Sequence, residues 1–128
     1  MSRNHFKLVG LGEAVCVTAP DGSKVDILAA CDRGSMERFS LAPGLMSKAV
    51  RHRSVEELWY VIAGSGEMWH SDGTSEDVID LAPGVSLAIP ANVSFQFRSR
   101  GPGAFEAIGV TMPPWPGMEE AEFVPGKW

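Results

Sequence analysis

The sequence predicts an all-β domain of many short antiparallel strands. Three observations carry this. First, 14 glycines and 9 prolines in 128 residues exceed the usual combined share of about 12%, and they are spread along the chain. Dispersed in this way they punctuate short elements and do not form a linker. Second, apolar runs of four to six residues recur between turn signals, as the strands of a sandwich or barrel do. Third, no window holds a helical period for more than two turns, so a helical bundle is disfavoured.

The elements follow in order. Ala14–Thr18 and Val25–Leu28 flank Pro20-Asp21-Gly22, where a fixed proline φ and a permissive glycine make a turn; a hairpin over 14–28 is expected. Met36–Leu41 comes next and stops at Ala42-Pro43-Gly44. Leu58–Ile62 is the most hydrophobic run and stops at Gly64-Ser65-Gly66, with Glu67–His70 returning beside it. Asp72-Gly73 turns the chain again. Val78–Leu81 ends at Pro83-Gly84, and Val85–Ile89 ends at Pro90. Val93–Phe97 alternates cleanly, and Phe105–Thr111 is the last expected strand. Met118–Phe123 has room for one helical turn. In Met112–Gly117 three prolines remove donors and fix φ, so this tail is expected to lie across the barrel with Trp115 as an anchor or a lid.

One strand says more about its surroundings. Leu58-Trp59-Tyr60-Val61-Ile62 is apolar on both faces, whereas a strand with one wet face alternates. A chain of this length, about one domain (1–128), has little of its own to use as cover, so a homodimer is expected.

Charge and composition exclude several classes. Sixteen acidic against 11 basic residues leave a net charge of −5, without the electrostatic footprint of a nucleic-acid binder. The one basic cluster, Lys48, Arg51, His52 and Arg53, is followed by Glu56 and Glu57 and reads as a solvated loop. No apolar run reaches the ~18 residues of a membrane span, and the start lacks the apolar stretch of a signal peptide. Cys16 and Cys31 sit among apolar residues and read as reduced core thiols, not a disulfide. The expected location is the cytoplasm.

From Gly44 the chain resembles the cupin family of double-stranded β-helix, or jelly-roll, barrels. The first motif reads Gly44, five residues, Val50-Arg51-His52, four residues, Glu57, six residues, Gly64. The second reads Gly84, five residues, Pro90-Ala91-Asn92, two residues, Phe95, three residues, Ser99. The resemblance spans about 36–111 and implies the fold. It also implies a divalent metal held by two histidines and a glutamate of the first motif and a histidine of the second. Only His52 and Glu57 stand at those positions; Val50 and Phe95 occupy the other two and offer no lone pair. Two ligands fall short of the usual three or four.

The strand periods complete the candidate site. Val93, Phe95 and Phe97 share one face, Trp59 and Val61 share that of Glu57, and Val50 shares that of His52. If these faces point inward, Val50, Trp59, Val61, Met68, Phe95, Phe97 and Trp115 line an aromatic and aliphatic cavity suited to an organic ligand, or simply fill the barrel. A two-residue hairpin loop at Ala63-Gly64 would set His70 across from Glu57, giving a His52, Glu57, His70 site for zinc, iron, manganese or nickel. A one-residue bulge would turn His70 away. Glu106 is a further candidate, either paired or exposed, and His5 is expected to be exposed. Without metal, His52 beside Glu57 is an acid–base pair. The expected function is therefore binding of a small organic molecule, with a metal-dependent enzyme (isomerase, lyase or dioxygenase type), a metal-free acid–base enzyme, or a sensing or structural module as alternatives.

Overall fold

A computed structural model describes residues 6–117 and 120–128 of the chain; His5, Met118 and Glu119 lie outside them. A 3-10 turn at Leu11–Glu13 leads into eleven strands. These are β1 (Val15–Thr18), β2 (Lys24–Ala30), β3 (Ser35–Leu41), β4 (Val50–His52), β5 (Glu56–Ala63), β6 (Gly66–Ser71), β7 (Glu76–Leu81), β8 (Ser86–Ile89), β9 (Ser94–Ser99), β10 (Phe105–Met112) and β11 (Ala121–Phe123). A six-stranded sheet runs β1-β2-β3-β10-β5-β8, and a five-stranded sheet runs β11-β4-β9-β6-β7. Every pairing is antiparallel. Among the described residues no helix is long and apolar enough to cross a membrane.

The core lies between the two sheets because inward residues alternate along each strand. In β10, Phe105, Ala107, Gly109 and Thr111 are buried while their neighbours are partly exposed. In β5, Glu57, Trp59 and Val61 point in. Phe97, Phe105, Met68 and Val61 fill the centre, where Trp59 meets Phe97 edge-on at 5.1 Å between ring centroids.

The expected hairpin over 14–28 is present, with Val15 opposite Ile27. The expected β5–β6 hairpin is not. β5 pairs with β10 and β8, whereas β6 pairs with β7 and β9 in the other sheet. The chain crosses between sheets at Gly64, whose φ is +79° and whose missing Cβ would lie 2.4 Å from the Ala104 carbonyl oxygen. Only glycine fits both conditions there.

Three other expectations are corrected. The basic cluster is not a solvated loop: Val50–His52 is β4, with His52 turned inward and Arg51 and Arg53 paired to Glu122. Residues 121–123 form β11 against β4, not a helical turn, because that edge offers unpaired backbone. Cys16 and Cys31 are exposed free thiols, not core residues. Within the single chain the outer face of β5 has no cover, as the homodimer expectation requires: Leu58, Tyr60 and Ile62 are 48%, 52% and 41% exposed.

A candidate ligand cavity at the barrel mouth

The inner ends of β3, β4, β5, β9 and β10 surround a narrow cavity that opens at its mouth. Its apolar wall comes from Phe39, Val50, Trp59 and Phe95, with Trp115 of the tail at the rim. Phe39 stacks on Trp59 at 5.0 Å and 22°, and Phe95 meets Trp59 edge-on at 6.3 Å. This stack depends on Gly109: a Cβ there would stand 2.3 Å from Phe39 Cε2. The tail is pinned where the Trp115 backbone N–H donates to Ser35 Oγ at 3.0 Å.

The polar wall is more acidic than the motifs suggest. His52 Nε2 lies 2.7 Å from Glu57 Oε1, and Trp59 Nε1 donates to Glu57 Oε2 at 2.6 Å. Glu57 is 4% exposed and His52 7%, so both Glu57 oxygens are committed inside the barrel. Burial works against the imidazolium. The Glu57 hydrogen bond and the charges of Glu57, Glu120 and Asp21 outweigh it, so the His52 pKa is raised above 6.5. Its Nδ1 is buried and has no hydrogen-bond partner.

Two further carboxyls line the same cavity. Glu37 of β3 is 2% exposed. It accepts a hydrogen bond from Thr111 Oγ1 at 3.3 Å, and that hydroxyl also lies 2.7 Å from Ser35 Oγ. Desolvation raises the Glu37 pKa, helped by the Glu57 charge and opposed by Ser35 and Thr111. Asp21, in the β1–β2 turn, is raised by burial against hydrogen bonds from the Ser23 amide and hydroxyl at 2.9 and 2.6 Å.

The sequence-derived list therefore divides. Val50, Trp59, Phe95, Trp115, His52 and Glu57 come together at the cavity. Val61, Met68 and Phe97 are fully buried core residues behind it. His70 stands across from Phe95 and Asp77, not Glu57; Phe95 separates it from Val50 of β4. Glu106 lies on the outer face, paired with Arg38. Glu37 and Asp21 are the residues sequence reasoning missed. A signal for Glu37 existed, since it shares its strand face with Phe39 and Leu41.

A metal does not fit this donor set. Val50 and Phe95 sit side by side in register where the resemblance implies histidines, and His52 and Glu57 bind each other. Among the described residues no three His, Cys, Asp or Glu side chains converge to hold an ion.

Comparison with known proteins agrees with this barrel. The cupin-domain family model matches residues 37–111. The chain belongs to the cupin family. No curated protein matches it. Solved structures similar to this cupin include KdgF from Halomonas sp., with a TM-score of 0.74 and 16% identity over 88% of this chain and 97% of that one. A nucleoside dehydratase from Streptomyces gives a TM-score of 0.72 at 13% identity over 94% and 92%. An uncharacterised Klebsiella pneumoniae protein with a double-stranded β-helix domain gives 0.71 at 16% over 95% and 100%. At these identities the likeness is one of fold.

Proposed function

We propose that this cupin binds a small organic molecule in the cavity at the barrel mouth, with His52 and Glu57 as its polar floor. The observation that carries the reading is a cavity walled by stacked aromatic rings that also holds a buried, hydrogen-bonded His–Glu pair. Apolar walls with a few convergent polar groups are the usual make-up of a ligand site. Native mass spectrometry of untagged protein tests it. The expected result is a retained organic mass that is lost in Trp59→Leu; a stoichiometric metal ion lost in His52→Ala would overturn it.

Proton transfer on the bound molecule is a second reading, favoured by the unpartnered His52 Nδ1. Nε2–H tethered to Glu57 fixes the tautomer and leaves Nδ1 basic, the arrangement of a positioned general base. Neither related structure transfers its chemistry at these identities. Deuterium uptake from D2O into the retained molecule, seen with wild type and absent with His52→Gln, is the expected result. Equal uptake by both proteins would remove this reading.

The outer face of β5 supports a homodimer. Met36 lies opposite Val110, Val110 opposite Leu58, and Ile108 opposite Tyr60, so these side chains form one apolar patch. Its exposed area, roughly 400 Å2, is that of the largest patch on a typical monomer, which is often a functional surface. Packing it against a second copy about a twofold axis moves the buried area toward the ~1,200 Å2 of stable interfaces. Light scattering at micromolar concentration should return twice the 13.8 kDa chain mass, and Tyr60→Glu should return it to one; a monomeric wild type would contradict the dimer.

A further inference from the structure

The charge and hydrogen-bond valences of the cavity say which ligand it takes. Among the described residues it is lined by three carboxyls, Asp21, Glu37 and Glu57, one imidazole, and neither lysine nor arginine. Two of its donors are already committed: the Trp59 indole N–H to Glu57, and the Thr111 hydroxyl to Glu37. His52 is over nine-tenths buried and leaves Nδ1 without a partner. With Nε2–H donating to Glu57, the imidazole presents Nδ1 as an acceptor when it is neutral, above its raised pKa. In that state the floor of the site offers acceptors, set beside the rings of Phe39 and Trp59.

We infer that the cavity selects a small organic cation, a protonated amine on an apolar or aromatic body, whose ammonium group is held by Glu37. The inference rests on the cavity being a ligand site and adds the chemical class of the ligand. An ammonium supplies donors to these acceptors and the positive charge that the carboxyls lack. Aromatic faces within about 6 Å attract cations through the ring quadrupole. An anionic ligand meets the opposite condition, because its charge is repelled by three carboxyls and no lysine or arginine of the lining offsets them. Asp21 and Glu37 are buried with only hydroxyl or amide hydrogen-bond partners; burial raises both pKa values, and a bound ammonium would draw them back down.

Three probes of one shape separate the possibilities: benzylamine, benzyl alcohol and benzoate, each titrated into the protein by calorimetry at pH 7.5. Benzylamine is expected to bind with a Kd near or below about 1 mM, at least tenfold tighter than benzyl alcohol, with benzoate not detected. Glu37→Gln keeps the shape of the wall and removes its charge. It is expected to weaken benzylamine at least tenfold while leaving benzyl alcohol unchanged, and Glu106→Gln, on the outer face and paired with Arg38, serves as a second variant that removes a carboxylate outside the cavity and leaves benzylamine bound. A loss below tenfold in Glu37→Gln overturns the assignment. Binding of benzyl alcohol or benzoate as tight as benzylamine overturns the charge selection but leaves the cavity a ligand site. Failure of all three to bind overturns both.

Discussion

Removing His52 alone should cost more stability than removing His52 and Glu57 together. The single change His52→Leu leaves Glu57, 4% exposed, without the partner 2.7 Å away. Breaking a buried pair in this way costs about 3–5 kcal/mol. The lower end applies, because Trp59 Nε1 still donates to the second oxygen and the cavity opens at its mouth. At an unfolding entropy of about 2.1 cal/mol/K per residue, 3 kcal/mol in a chain of this size lowers Tm by roughly 11 °C. The double change His52→Leu with Glu57→Met removes the charge as well and leaves only the Trp59 indole N–H unpaired, about 1 kcal/mol. Urea denaturation at pH 6 with the two single variants and the double variant closes the cycle. The pH dependence carries a sign. The folded His52 pKa lies above the 6.5 of the free imidazole. Its contribution is therefore full below pH 6.5 and is lost as pH rises through the folded value. The gap between wild type and His52→Leu should narrow from pH 6 upward. A single-variant cost below 1 kcal/mol, a double variant less stable than the single, or a gap that widens with pH would refute the reasoning.

Three further outcomes follow from the same geometry. Gly109→Ala drives a methyl group into the Phe39 ring, 2.3 Å from Cε2, and should cost about 1–3 kcal/mol in urea denaturation while weakening benzylamine binding through the displaced Phe39–Trp59 stack. Glu37→Gln should match wild type near pH 4.5 and exceed it above. The folded Glu37 pKa is raised from 4.5 by burial, so wild-type stability falls as pH rises through that interval; the opposing Ser35 and Thr111 hydrogen bonds hold the gain to the order of 1 kcal/mol, read by thermal melts at pH 4.5 and 7.5. Val50→His with Phe95→His places two imidazoles side by side on β4 and β9, next to His52, and should gain one zinc per chain by elemental analysis. No gain over wild type would contradict the inward placement of both positions.

The strands were legible because period-two alternation and turn residues are local signals. The Pro20-Asp21-Gly22 hairpin and the alternation of 93–97 are examples, and the motif spacings placed His52 and Glu57 on one wall. What was not legible depends on distant chain. Gly64-Ser65-Gly66 reads as a hairpin loop, yet the same residues carry the chain from one sheet to the other. That choice is made by β10 and β9 claiming β5 and β6 as partners. β11 exists only because β4 offers it an edge. Asp21 was hidden by its own turn, where an aspartate is already accounted for. Glu37 was visible as a charge on a core face, but only the assembled barrel sets it beside His52 and Glu57 at one cavity.

The most direct test of the account is a crystal structure of the protein soaked with benzylamine. The account predicts density for the ring against the wall formed by Phe39, Trp59 and Phe95, with its nitrogen within hydrogen-bond distance of Glu37. A cavity closed by its own side chains, with the amine only on the outer surface, would contradict it.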